Sequence, residues 1–280
     1  MVTFINVTLT GTRLTRKKAY NYVNYFEARF DRMVLHGKNK VRIKVLGICG
    51  SPRKNANTEF LLNQALDGAK SVDPKNVETE AYSIAGKEYL PCISCFSCAK
   101  TGECVRSKND DFNELRDKWI DADAIIMAVP VYHMSIPGQL KCFIDRLGNS
   151  IWSYEGSSGK HLKVYGAIAQ GVHIFSGQEN AIKEIINHAI VMGNIITSGD
   201  PWESYLGGAG WTENKVEKNA LKSLYESGSF DANIAVKSAR SLGKRVAELA
   251  LIIKAGVLHY LEYLKKDPMY RPLIERMSKR

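Results

Sequence analysis

No apolar run in these 280 residues approaches the roughly 20 needed to cross a bilayer. The longest, Ala124 to Val131, is less than half that and follows Asp123. The opening MVTFINVTLTGTR lacks the basic stretch and apolar stretch that together mark a secretory signal. Neither a membrane span nor export is expected, and the expected location is cytoplasmic. Internal repeats and low-complexity tracts are also missing. The body of the chain lacks net charge: residues 1–40 hold eight basic and two acidic side chains, residues 265–280 six and two, and these ends carry the whole surplus of +10. A uniformly basic surface would point to nucleic acid or anionic membrane. Basic ends around a neutral body do not, so no nucleic acid is expected. They suit solvated termini, or contact with an acidic partner or another subunit.

What is there suits a packed domain: 45% of residues are apolar and 24% charged. Within 1–40, Tyr20, Val23, Phe26, Phe30, Met33 and Val34 recur at helical spacing after Thr15. From Val41 the pattern alternates strand, loop and helix. Strands are expected at 41–50, 77–83, 124–131, 162–170 and 194–197. Helices are expected at 58–71, 111–122, 137–147 and 177–192. An irregular stretch at 198–230 precedes a long helix over 232–266, stopped by Asp267-Pro268. Alternation of this kind gives a parallel sheet covered on both faces.

Four segments carry chemistry. The first, GICGSPRKNANT (47–58), joins a strand to a helix. A helix N-terminus binds phosphate through free N–H groups and its dipole, and Ser51, Arg53, Asn57 and Thr58 add donors and charge. Its spacing is neither a Walker loop nor G-x-G-x-x-G, which counts against nucleoside triphosphates and dinucleotides; an ordinary turn would look similar. The second, VPVYHMSIPGQLKCFIDR (129–146), follows the third strand, where open α/β sheets place ligands. Pro130, Val131, Tyr132 and His133 offer backbone groups and ring edges to a flat heterocycle, or else pack. Asp145 and Arg146 read as a structural ion pair. The third, GVHIFSGQE (171–179), begins at Gly171 after the fourth strand and could close the same site.

The fourth is PCISCFSCAKTGEC, C-x2-C-x2-C-x5-C, within a chain of six cysteines. Crowded thiols in an unexported chain suggest metal rather than disulfides. Four thiolates in one tight loop suit a compact iron–sulfur cluster better than zinc, which prefers two separated pairs. Zinc remains the alternative. Cys49 and Cys142 fall in strand and helix patterns and read as apolar filling.

GSPRKNANT, PCISCFSCAKTGEC and PVYHMSIPGQLKCFIDR in one chain resemble the iron–sulfur flavoproteins of the NADPH-dependent FMN reductase group, over roughly residues 41–250. GQE at 177–179 and GG-x-x-W at 207–211 fit the same pattern. The resemblance implies a flavodoxin-like fold: a doubly wound parallel five-stranded sheet with a cysteine-rich loop insertion and helical terminal extensions. It divides the chain into an N-terminal helical extension (1–40), an FMN-binding domain (41–264) with its Fe–S loop at 91–105, and a basic C-terminal tail (265–280). It further implies that Ser51, Arg53, Asn57 and Thr58 hold the FMN phosphate, and that Pro130, Val131, Tyr132, His133 and Gly171 surround the ring. Cys92, Cys95, Cys98 and Cys104 would carry a [4Fe–4S] cluster. The implied function is electron transfer between cluster and FMN to reduce a small acceptor, with a ferredoxin or NAD(P)H as redox partner, in a homodimer or homotetramer. Tyr132, His133 and His173 are the candidate proton donors. Val172, Ile174 and Phe175 are bulky for a loop beside a flavin, which implies a narrow, apolar acceptor pocket. Two rivals stand: an NAD(P)H-dependent FMN or quinone reductase whose cysteine loop is empty or holds zinc, and a flavin-containing adaptor whose basic ends bind a partner.

Overall fold

The computed structural model describes residues 41–154, 159–200 and 204–278; the helix expected within 1–40 lies outside them. The elements run β1 (Ile43–Cys49), α1 (Asn57–Val72), β2 (Val77–Ser83), α2 (Ser97–Thr101), α3 (Phe112–Asp121), β3 (Ala124–Pro130), α4 (Gly138–Tyr154), β4 (Val164–Gly171) and α5 (Gln178–Val191). Then follow β5 (Ile195–Ile196), β6 (Gly208–Trp211), α6 (Ala220–Glu226), α7 (Phe230–His259), α8 (Leu261–Leu264) and α9 (Arg271–Ser278). All pairings are parallel, in the order β2-β1-β3-β4-β5, with β6 also on β4. This is the flavodoxin-like doubly wound order, whose crevice lies beyond the carboxyl ends of the strands.

Side chains alternate across each strand, so the sheet feeds two cores. Leu46, Ile48, Ile125, Met127, Val129 and Tyr165 face Phe112, Trp119, Phe143 and Ile185 of α3, α4 and α5. Val45, Cys49, Ile126, Ala128 and Ile168 face Leu61, Leu62, Leu221, Ala239 and Leu242 of α1, α6 and α7. Because both faces are covered, β3 and β4 are buried along their whole length, matching their continuous apolar runs. Helices α1 and α7 touch backbone to backbone: a Cβ on Gly243 would overlap the Ala65 carbonyl, and one on Gly68 would overlap that of Arg240.

Two departures from the expected pattern stand out. The stretch 198–230 contains β6 and α6, so the sheet's fifth position is filled twice. Strand β5 pairs Val164 and Tyr165, and β6 pairs Ile168 to Gly171. Strand β6 reads Gly-Ala-Gly-Trp and has no β-branched residue to announce it. The long helix begins at Phe230, where the Ser229 hydroxyl accepts from the Ala232 N–H at 3.3 Å, and ends at His259 rather than 266. Beyond it, Leu273 and Met277 of α9 pack on Val257. Arg276 Nε and Lys254 Nζ each lie 3.3 Å from the buried Asp123 carboxylate, which also accepts from the Lys44 N–H at 2.9 Å. Residues 271–278 are therefore fastened to the body at the strands' amino edge.

Candidate cofactor-binding site

The residues singled out in the first loop gather at the carboxyl end of β1. Gly50 N–H donates to the Ala128 carbonyl, which joins this loop to β3. Ser51 is buried; its hydroxyl accepts from the Arg53 N–H at 3.2 Å and lies 3.3 Å from the Arg53 carbonyl. Helix α1 starts after Ala56 with no side-chain cap, which leaves first-turn N–H groups for an anion. Thr58 is buried in that first turn. Asn57 is tied elsewhere: its amide donates to the Glu217 carbonyl and accepts from the Leu221 N–H, both at 2.9 Å. Arg53 reaches the Val216 carbonyl at 3.3 Å.

The second and third loops meet beside β3 and β4. Val131 N–H donates to the Gln170 carbonyl. Tyr132 and Ser135 exchange two backbone hydrogen bonds around a turn whose central residues, His133 and Met134, both have positive φ (47° and 62°). Non-glycine residues held there mark a backbone that its surroundings over-determine, a state common at ligand sites. The Ser135 hydroxyl donates to Glu184 of α5 at 2.6 Å. Tyr132 and His133 are exposed. Gly177, at φ 107°, lies against the Met134 backbone, and a Cβ there would collide with it. The two loops are thus fitted to one another. Phe175 at the tip is 90% exposed. It lines a cleft of about 600 Å³ together with Met134, Ile174, Trp211, Asp231 and Ile234.

A fourth loop, after β6, completes the rim; it falls within the stretch expected to be irregular. Asn214 N–H donates to the Val172 carbonyl, and His173 Nδ1 lies 2.5 Å from the Asn214 amide oxygen. Residues 212–221 therefore touch both the first and the third loops. The GG-x-x-W motif was the signal for this element, once read as a strand end.

The cysteine loop lies between β2 and α3. Cys92, Cys95, Cys98 and Cys104 line one pocket, with Arg146 and Asn149 of α4 in its wall. Asn149 Nδ2 donates to Cys92 Sγ at 3.4 Å, Arg146 Nε to Cys104 Sγ at 3.3 Å, and Cys98 Sγ to the Asn149 carbonyl at 3.7 Å. Burial pushes the Cys98 thiol up. Arg146 is not paired with its neighbour: Asp145 binds Lys141, whereas Arg146 forms a fully buried pair with Asp110 and stacks 4.2 Å over Phe112. Adjacent helical residues point about 100° apart, which sends the two charges to different partners. Burial opposes ionisation of Asp110. The Arg146 guanidinium and the Leu90 and Phe112 N–H groups outweigh it and hold the carboxyl below its ordinary range. Cys49 is buried and its thiol is pushed up to about 12 by burial, as an apolar filler requires; Cys142 is half-buried against the core.

Among the described residues, no group of three or more His, Cys, Asp or Glu side chains is arranged to hold a metal ion. Four sulfurs on one zinc, at about 2.3 Å from it, stand only about 3.8 Å from each other. Thiolates around a four-iron cluster each bind a different iron and stand farther apart. Four thiols facing one pocket match the donor chemistry of either group.

The strand order and the loops at one sheet edge define a flavodoxin-like fold. Comparison with known proteins specifies it further: the NADPH-dependent FMN reductase family matches residues 43–201. The chain belongs to that family and is a flavin-dependent oxidoreductase. It is 34% identical over 76% of its length to an iron-sulfur flavoprotein of Methanocaldococcus jannaschii, all of which is covered. It is 37% identical over 62% of its length to one from Archaeoglobus fulgidus, 85% of which is covered. The structure of RosB, solved with a bound 8-demethyl-8-formylriboflavin-5'-phosphate intermediate, superposes with a TM-score of 0.54 at 14% identity, over 79% of this chain and 87% of that one. That last likeness is one of fold. No helix among the described residues is long and apolar enough to cross a membrane.

Proposed function

We propose that this chain is a cytoplasmic electron-transfer flavoenzyme in which a [4Fe–4S] cluster on Cys92, Cys95, Cys98 and Cys104 exchanges electrons with FMN to reduce a small acceptor. The observation that carries this reading is that all four motif cysteines line one pocket in a chain of the FMN reductase family. Ser51, Arg53, Thr58 and the uncapped first turn of α1 hold the FMN phosphate; Asn57 keeps that turn in place through residues 217–221. Pro130, Val131, Tyr132, His133 and Gly171 border the ring. The cluster supplies single electrons and the flavin one or two, so together they convert between carriers. Tyr132 and His133, exposed on the turn, stand where a proton can be passed to the reduced acceptor. The working unit is 41–264, assembled as a homodimer or homotetramer and reduced by a ferredoxin or NAD(P)H, with 1–40 and 265–280 as basic extensions.

Iron, acid-labile sulfide and flavin measured on protein purified without oxygen test the reading. The expected result is iron and sulfide in near-equal amounts, in excess over FMN. A yellow protein with zinc or no metal overturns it and leaves the reductase with a structural or empty loop. Phe175 crowns the cleft beside the ring-binding loops, so Phe175→Ala is expected to widen acceptor choice. Catalytic efficiency toward bulky quinones should rise severalfold relative to small ones; an unchanged ratio refutes that role.

A further inference from the structure

We propose that Arg146 and Asn149 set the reduction potential of the cluster, raising it by donating hydrogen bonds to two of its four sulfurs. The inference rests on the cluster reading above and names residues outside the cysteine motif. Positions 146 and 149 lie at i and i+3, which places them on one face of α4. That face is turned to the cysteine loop, and its two polar members meet sulfur: Arg146 Nε at 3.3 Å from Cys104 and Asn149 Nδ2 at 3.4 Å from Cys92.

The Arg146 side chain has no freedom to leave. Its Nη2 donates to Asp110 Oδ1 at 3.2 Å, its Nη1 to Asp110 Oδ2 and to the Leu90 carbonyl at 3.2 Å, and its plane lies over Phe112. Asp110 in turn accepts from the Leu90 and Phe112 N–H groups at 2.8 and 3.2 Å. Each bond fixes the guanidinium plane, and this holds the Nε–H aimed at sulfur. Because Asp110 largely offsets the charge, the directed N–H rather than the net cation is what reaches the site. Asn149 adds a neutral donor on a second sulfur. Reduction adds one negative charge spread over irons and sulfurs. Donors to the sulfurs stabilise that form more than the oxidised one, so the potential rises. Cys98 differs from these two: its thiol lies 3.7 Å from the Asn149 carbonyl, an acceptor.

The experiment is an anaerobic redox titration of the holoprotein, followed by visible absorbance and electron paramagnetic resonance, on wild type, Asn149→Leu, Asn149→Asp and Arg146→Lys. Leucine matches asparagine in size and removes the donor; aspartate matches its shape and replaces the donor with an acceptor and a charge. The expected order of cluster midpoints is wild type, then Asn149→Leu, then Asn149→Asp lowest, with the flavin couple and the iron-to-flavin ratio unchanged. Arg146→Lys keeps a cation but not the Nε–H, and its midpoint is also expected to fall. If burial of Arg146 prevents that variant from folding, the Asn149 pair decides. An intact cluster in Asn149→Leu with the wild-type midpoint overturns the inference. So does a folded Asn149→Leu protein that holds no cluster, since Asn149 would then retain the cluster rather than tune it. Wild type without iron and sulfide overturns the functional reading itself.

Discussion

Gly243→Ala should lower the unfolding free energy by about 3 kcal/mol, the upper end of what forced overpacking usually costs, out of a total of roughly 5–15 kcal/mol for a domain. The added methyl would overlap the Ala65 carbonyl of α1, a backbone atom that no rotamer change can move aside. Relief requires the two helices to separate, and α1 packs with Leu61, Leu62, Ala65 and Leu66 into the same core as α7. Because the first turn of α1 is the proposed phosphate anchor, separation also displaces Thr58 and the loop before it. Urea denaturation should show a lower midpoint with an unchanged slope, and FMN titrated into apoprotein should bind more weakly. A wild-type midpoint would mean that the contact at Gly243 has slack.

Cys98→Ala should cost the protein its iron and sulfide, on the order of tenfold or more in retained metal, while the flavin stays. Cys98 sits on the short helix α2 against α4, with its thiol beside the Asn149 carbonyl. It lies in a different part of the chain from the strand-end loops around β1, β3 and β4, so losing it leaves the flavin edge untouched. Cys142→Ala is the control: that residue of α4 is half-buried against the core and does not line the thiol pocket, so the variant should keep its iron. Equal iron in both variants and wild type would remove Cys98 from the ligand set. Loss in both would point to damage at α4 rather than to a missing ligand.

Much of this was legible in the sequence, for physical reasons. Strands β1, β3 and β4 are covered on both faces, and continuous apolar runs such as Ala124 to Val129 can hardly be anything else. The loops carrying Ser51, Tyr132 and Gly171 follow from strand position alone. Strand β6 was illegible because Gly208, Ala209 and Gly210 present at most one methyl to alternate; β4 and α7 determine its state. The break of the long helix at Tyr260 was hidden by an apolar periodicity that runs on through Leu261 and Leu264. The wall of the thiol pocket was also out of reach. Arg146 and Asn149 are distant in sequence from the cysteines they touch, and Arg146 looked like a partner for Asp145 until α4 was given its phase. The double engagement of Asn57 with residues 217–221 depends in the same way on a loop that sequence spacing does not locate.

The brace of Asp110, Arg146 and Phe112 is built from protein groups: a buried ion pair with an aromatic ring under the guanidinium. A small zinc domain collapses when stripped, because its metal supplies the folding energy. Here the Arg146–Asp110 pair and its bonds to the Leu90 carbonyl and to the Leu90 and Phe112 N–H groups tie the end of the cysteine loop to α4, so that part of the loop draws its order from the protein core.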